Sequence, residues 1–278
     1  MIGAARALVH ALDPVLWARD GLGLELDPYQ AEAVRARPRR ALRCWGRQTG
    51  KSTVLAVEIV HEARFRPGSL CLVISPSERQ STETHAKILD LLDRLDAGRQ
   101  TVDERSRTNV RLDNGSRIVA LPGASEATIR GYSAPAIVAL DEAARVADSV
   151  FHAITPSLAT GGRLIACSTP AGRRGWFAEA WHQGSGAWHR SRIRSDDCPR
   201  VDPAFLEPER RTMGDRAFRQ EYGAQFLEDG DALFDHQTIA QVLDPNVKPL
   251  FGPNGEANLP PAPGPELDPL VNAVGGAA

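Results

Sequence analysis

Hydrophobic positions along this chain follow two rhythms. Short, nearly unbroken apolar runs occur at "RALRC" (40–44), "SLCLVISPS" (69–77), "APAIVALDEA" (134–143) and "GRLIACSTPAG" (162–172), and they predict buried strands. Between them run helical patterns. "LDPYQAEAVRA" (26–36) starts cleanly, with Asp27 able to cap it and Pro28 suited to a first turn. "GKSTVLAVEIVHEARF" (50–65) is apolar-periodic, and residues 78–98 carry Ile88, Leu91, Leu92 and Leu95 at helical spacing before a glycine. "TNVRLDNGSRIVALPG" (108–123) alternates on both sides of Asp113-Asn114-Gly115 and predicts a hairpin. Residues 1–25 read as partly apolar helical packing, 186–197 as a polar strand, and the stretch to Phe226 as two charged helices. After residue 244 the chain is dense in Pro, Gly, Asn and Ala with little periodicity, which reads as a flexible tail. No internal repeat is found.

Strands alternating with helices predict an α/β fold with a mostly parallel central sheet, to which the hairpin adds an antiparallel part. Ligands of such sheets gather at the carboxyl ends of the strands. The chemically unusual residues all fall at such ends: after Cys44, Ile74, Leu140 and Cys167.

Composition narrows the setting. The 278 residues suit one large domain or one with an appendage. Hydrophobic content of 42% and charged content of 24% are ordinary for a globular chain. No apolar run approaches the ~18 residues of a membrane span, and the N-terminus lacks the pattern of a secretory signal. Cys44, Cys71, Cys167 and Cys198 are scattered, so a reducing cytoplasm is the simplest setting. A net charge of −2 means that any contact with nucleic acid must come from local arginine groups.

The chemistry centres on "RALRCWGRQTGKSTVLAVEIV" (40–60), a strand, a loop ending Gly-Lys-Ser and a helix. That is the layout of a phosphate-binding loop, G-x-x-x-x-G-K-[ST], except that Trp45 stands where the first glycine belongs and Gly46 follows it. Polyphosphate needs several inward backbone N–H groups with a helix N-terminus behind them. Residues Gly46, Arg47, Gln48, Thr49, Gly50, Lys51, Ser52 and Thr53 form the expected ATP-binding loop. Lys51 can reach the β and γ phosphates and Ser52 can ligate Mg²⁺; a turn with a solvated lysine is the plain alternative. Ile137–Leu140 followed by Asp141-Glu142 match a Walker B strand. One carboxylate there can bind Mg²⁺ while its neighbour orients or deprotonates water, although acids in a first helical turn are common. Ser168, Thr169 and Pro170 end a strand where a hydroxyl can sense the γ-phosphate, or they form a simple turn. Arg47 can neutralise charge on the transferred phosphoryl group, and Arg130 lies in a loop suited to a finger acting on a neighbouring subunit. Structural or solvated roles are the alternatives for both.

In this order "GRQTGKS", "ISPSERQS", "LPGASEATIRGYSAP", "IVALDEA", "ACSTPAG" and "FRQEYGAQFLEDGDALF" resemble the large subunit of tailed-phage terminases, ATPases that drive DNA packaging into capsids. The resemblance runs from about Asp27 to about Phe234. It implies a P-loop NTPase of the additional-strand, catalytic-glutamate class with a small helical lid, and a loop of compressed R-Q-x-G-K-[ST] form. It also implies that Gln30 reads adenine with Tyr29 as a stacking neighbour, that Glu142 is the catalytic glutamate and Asp141 the magnesium-side acid, and that Ser168–Pro170 couple hydrolysis to motion. Arg130 is the weaker candidate for a trans-acting finger. The implied cofactors and partners are ATP with Mg²⁺, double-stranded DNA, a portal protein and a terminase small subunit, met by a homo-oligomeric ring in the host cytoplasm.

The expected organisation is an ATPase core with N-terminal helices over 1–175, the rest of that domain with its lid over 176–234, and a tail over 235–278. The family's metal-dependent nuclease domain should begin near "DGDALFDHQ". No apolar strands follow Asp229, Asp231 and Asp235, so nuclease activity is not expected of this chain. Arg190, Arg192 and Arg194 alternate and would share one face of a strand, facing DNA or guarding a sheet edge; Arg173 and Arg174 are a second candidate pair. Two other readings share these motifs. One is a helicase-like remodelling ATPase, which lacks support because no second strand–helix series follows residue 175. The other is a nucleotide-locked DNA-binding or assembly module that does not hydrolyse.

Overall fold

The computed structural model describes residues 2–95, 101–123, 126–184 and 186–228. Asp229, Asp231, Asp235 and the tail over 235–278 lie outside the described residues. The described chain belongs to one compact unit.

Its centre is an eight-stranded sheet. The strands are β1 (Arg40–Trp45), β2 (Leu70–Ser75), β3 (Val102–Arg105), β4 (Asn109–Leu112), β5 (Arg117–Pro122), β6 (Ile137–Asp141), β7 (Arg163–Ser168) and β8 (His189–Ile193), in the order β3-β4-β5-β2-β6-β7-β1-β8. From β5 to β8 every pairing is parallel, and β4 and β3 add antiparallel strands at one edge. The expected hairpin is β4–β5, turning through Asp113–Ser116, with Gly115 at φ +80 where a side chain would be strained. β3 is a polar edge strand that the hydrophobic pattern does not announce.

Side chains of the buried strands alternate between two apolar layers, as a period of two requires. On one face Ala41, Trp45, Cys71, Val73, Ile137, Ala139, Ile165 and Cys167 pack against α2 (Pro14–Leu22), α3 (Pro28–Ala36), α4 (Lys51–Phe65) and α5 (Glu78–Leu95). On the other, Leu42, Cys44, Leu72, Ile74, Val138, Leu140, Leu164 and Ala166 meet α6 (Glu126–Arg130), α7 (Asp148–Ile154) and α8 (Gly175–His182). α1 (Ile2–Leu12) contacts α2, and α9 (Pro203–Met213) and α10 (Asp215–Glu221) pack on each other after β8. β8 hydrogen-bonds to β1, so the region after residue 175 completes the same sheet. Burial pushes the Cys44, Cys71 and Cys167 thiols up to about 12, as for small hydrophobes held in strands. No helix of the described residues is long and apolar enough to cross a membrane.

The register aligns the chemistry. Cys44 lies beside Ser168, and Cys167 beside Asp141. β7 is thus inserted between the loop-bearing strand and the acid-bearing strand, and residues 45–52, 141–142 and 168–170 emerge side by side at one edge.

Candidate nucleotide-binding site

Trp45, in the place of the missing glycine, is the last residue of β1 and fully buried. Its ring meets Tyr29 edge-on at 5.3 Å, and its Nε1 donates to Ser191 Oγ at 2.9 Å. Gly46 is required for another reason: a Cβ there would come within 2.5 Å of both Ser195 Oγ and the Tyr222 carbonyl. Backbone N–H groups of Gly46 and Arg47 donate to the carbonyls of Ile193 and Glu221 (2.8 and 2.9 Å). The loop is therefore laced to the ends of β8 and α10. Gln48 (φ 61) and Gly50 (φ 79) take left-handed conformations that curl the backbone round the start of α4, and the Thr49 hydroxyl closes the curl on the Gly46 carbonyl at 2.8 Å.

Lys51, the first residue of α4, turns back into this curl and donates to the carbonyls of Trp45 (3.1 Å) and Gly46 (2.9 Å). Burial lowers its ammonium pKa, against the pull of the Glu142 and Asp141 carboxylates. A buried ammonium held only by carbonyls is well placed to gain from an entering polyanion.

Across β7, Asp141 is buried and accepts from Thr84 Oγ1 at 2.7 Å and from the Glu142 N–H at 3.1 Å. Glu142 stands at φ 51, a left-handed backbone uncommon for a residue with a Cβ and recurrent at functional sites. Its Oε2 accepts from Arg145 at 2.9 Å and from Ser168 Oγ at 3.5 Å. Arg145 also reaches Thr169 Oγ1 (3.1 Å) and Glu221 Oε1 (2.8 Å). Glu221 further accepts from Arg47 Nε (3.0 Å) and Thr169 Oγ1 (3.1 Å). Burial alone would raise its carboxyl, but Arg47, Arg145 and Thr169 hold it below the usual carboxylate range. The same Glu221 contact raises the Arg47 guanidinium.

Part of this network lines an open cleft of about 840 Å³; Asp141, Thr84 and the loop's Gly46 and Thr49 are not among its lining residues. Arg47, Gln48, Gly50, Lys51, Ser52, Thr53 and Glu142 all face it, so the expected loop and glutamate do converge. Ser168, Thr169 and Pro170 are buried behind it and reach it through Glu142, Arg145 and Glu221. Ser52 and Asp141 offer a hydroxyl and a carboxylate, the hard oxygen donors that Mg²⁺ prefers, so the donor chemistry fits the ion.

Other expectations land elsewhere. Gln30 is 1% exposed and does not line the cleft. Its Oε1 accepts from the Asp27 N–H (3.0 Å) and its Nε2 donates to the Thr49 carbonyl (2.9 Å) and to Tyr29 Oη (3.4 Å). Tyr29 Oη donates to the same Thr49 carbonyl at 2.8 Å. Both side chains prop the loop from behind, because α3 packs under it. Arg130 is exposed on α6, pairs with Glu126 at 2.8 Å and is not among the cleft-lining residues.

The alternating arginines run along β8 and one residue past its end. Arg190 donates to the carbonyls of Ala180 and Gly184, Arg192 to that of Gly223, and Arg194 engages Asp196. Each guanidinium is thus engaged, with Arg192 and Arg194 remaining exposed. Arg173 pairs with Glu228 at 3.4 Å, and Arg174 occupies the N-cap of α8.

Sequence reasoning assigned no role to Thr84, Arg145, Arg200, Phe205 or Glu221. Arg145 was within reach, three residues after Glu142, and Glu221 sits inside the quoted "FRQEYG" stretch. Arg200 and Phe205 carried no local signal.

A family model described as "Terminase large subunit, T4likevirus-type, N-terminal" matches residues 44–241. A "Terminase, large subunit" of Thermus phage G20c is 30% identical over 248 residues, covering 77% of this chain and 51% of that protein, so the chain spans about half the length of the curated relatives it matches. The Thermus phage P74-26 large terminase ATPase domain superposes with a TM-score of 0.67 at 26% identity, over 75% of this chain and 97% of that one. The large terminase of another thermophilic bacteriophage, in complex with ADP, shares the fold at 13% identity, with a TM-score of 0.59 over 78% of this chain and 52% of that one.

Proposed function

The chain belongs to the terminase large-subunit family, and on that premise we propose that it hydrolyses MgATP to drive packaging of double-stranded DNA. The observation that carries this reading is the presence of Lys51 and Glu142 on one cleft, together with the loop and the start of α4. A triphosphate entering there competes for Lys51 against two backbone carbonyls and for Arg47 against Glu221. Its charge favours both exchanges. Glu142 then orients the attacking water and takes its proton, held by Arg145 and Ser168 until that step. Mg²⁺, held by Ser52 and on the Asp141 side, would neutralise charge on the phosphates. Whatever changes at Glu142 is felt at Glu221, because Arg145 and Thr169 touch both that carboxylate and its surroundings. Glu221 ends α10, so the relay leads into the helices after β8.

Arg130, exposed and outside the cleft, suits a finger offered to a neighbouring copy in a ring. Portal protein, terminase small subunit and a host-cytoplasmic setting complete the proposal through the family. Family membership disfavours the helicase-like and non-hydrolysing alternatives. The test is steady-state ATP hydrolysis over a wide range of protein concentration, with and without double-stranded DNA, beside Arg130→Ala. Specific activity that rises with concentration in the native chain and stays flat in the variant supports the reading. No hydrolysis at any concentration, with DNA present, contradicts it.

A further inference from the structure

Thr84 is a buried threonine within α5, and its hydroxyl is not spent on its own helix. A helical threonine can donate back to the carbonyl one turn earlier, as Thr82 does to Glu78 at 2.9 Å. Thr84 donates instead to Asp141 Oδ2 at 2.7 Å, across to the end of β6. Both residues are buried, at 4% and 5% exposure. The other carboxylate oxygen accepts the Glu142 N–H at 3.1 Å, so both oxygens are fixed in direction. An ionised carboxylate offers about four lone-pair sites, so each oxygen keeps one for a further ligand.

The surroundings of this contact are polar where the sheet face is otherwise apolar. Ile74 lies beside Leu140 in the β2–β6 register, which places Ser75 next to Asp141 at the strand ends. Ser75 is fully buried, and Ser81, one turn before Thr84 on α5, is nearly so. Neither hydroxyl has a hydrogen-bond partner among the described residues. Native interiors seldom leave a buried hydroxyl unpaired, and alanine would pack at either position without that cost. The same helix carries Gln80 and Lys87 to the cleft. Thr84 lies between them on one side of α5, at helical spacings of four and three. It therefore links a wall of the cleft to the acid behind it.

We propose that Thr84 is a positioning residue of the metal site: its hydroxyl sets the direction in which Asp141 meets Mg²⁺, and with it the site's affinity for the ion. The inference rests on the reading of Asp141 as the magnesium-side acid. Mg²⁺ demands near-octahedral oxygen geometry, so a carboxylate free to swing completes the site only part of the time. Hydrogen bonds that orient a ligating group are worth about 10–100-fold in metal affinity. A contact that only pinned α5 to β6 would serve the fold, and would act on nucleotide binding alike with and without the ion.

The test is equilibrium binding of ATPγS with excess Mg²⁺ and with EDTA, for the native chain, Thr84→Val, Thr84→Ser, Asp141→Asn and the double variant Thr84→Val with Asp141→Asn. The ratio of the two affinities measures the coupling between ion and nucleotide. Valine keeps the shape of threonine and removes the donor. Thr84→Val should lower the ratio about tenfold and leave binding in EDTA within about twofold of native. Thr84→Ser, which restores the donor, should keep the native ratio within about threefold. In Asp141→Asn the ratio should already be low, and adding Thr84→Val should change it by less than about twofold. An unchanged ratio in Thr84→Val overturns the proposal, whether binding is intact or equally weakened with Mg²⁺ and with EDTA; equal weakening assigns the contact to packing. A ratio in Thr84→Ser as low as in Thr84→Val overturns it too, as does a further large fall in the double variant. A Mg²⁺ effect that is absent from the native chain, or intact in Asp141→Asn, removes the metal reading itself, a failure distinct from the others.

Discussion

Two webs of arginine and glutamate sit within one domain and behave as opposites. Under α4, Arg43 and Glu58 meet at 2.5 Å with both side chains 2% exposed, and Arg163, 11% exposed, joins Glu58 at 2.9 Å. Arg43 also donates to the Ala33 carbonyl, tying α3 to the sheet. At the cleft, Glu221 holds Arg47 and Arg145, and Arg145 holds Glu142, but Arg47 is 56% exposed. The residue types are the same and the access to water is not. Charges without water cannot exchange partners without leaving one of them bare, so the first web fixes the fold. Charges at an open cleft can turn to solvent or to a new anion at little cost, so the second can respond to a ligand.

Removing one partner from each web sharpens that contrast. Glu58→Ala strands Arg43 and Arg163, and should lower stability by about 3–5 kcal/mol, a fall of roughly 10 °C in Tm by calorimetry. Glu221→Gln should cost no more than about 1 kcal/mol in the same scan, because Arg47 can reach water. Equal losses would erase the distinction.

Acid titration separates a third buried contact from both webs. His61 donates from Nε2 to the His10 carbonyl (2.9 Å) and accepts at Nδ1 from Arg37 (3.2 Å). Burial, with Arg37 adding like charge, pulls its pKa down to about 4 from 6.5. The unfolded chain takes up this proton first, so stability should fall as pH drops from about 6.5 to about 4, by on the order of 3 kcal/mol. Denaturant unfolding of His61→Gln, which does not titrate, should lack that slope. Glu221 works further down: its depressed carboxyl contributes stability above the unfolded value of 4.5 that is lost as pH falls through the lower folded value. Glu221→Gln should remove this smaller, more acidic component and leave the first in place.

How much was legible follows from how local each signal is. β1, the loop, α4, β6 and β7 are written in contiguous residues, and the sequence placed them in order with Lys51, Ser52, Asp141 and Glu142 at strand ends. β3 escaped because three of its four residues are exposed, so no apolar rhythm marks it. Gln30 was placed near the loop, but which side it faces depends on how α3 packs, and spacing does not encode that. Alternation marks the arginines along β8, yet the carbonyls that engage Arg190 and Arg192 come from residues 180, 184 and 223, which spacing does not encode. Arg200 and Phe205 reach the cleft from more than 140 positions downstream of the loop, a proximity that only the fold creates.

The central claim is that Glu142 performs chemistry in a site that binds nucleotide without it. Its most direct test is ATP turnover and ATPγS binding, in parallel, for the native chain and Glu142→Gln at a concentration where the native chain is active. The account expects binding within about twofold and hydrolysis reduced about 10²–10⁴-fold. Hydrolysis that survives in Glu142→Gln, or binding that disappears with it, would contradict the account.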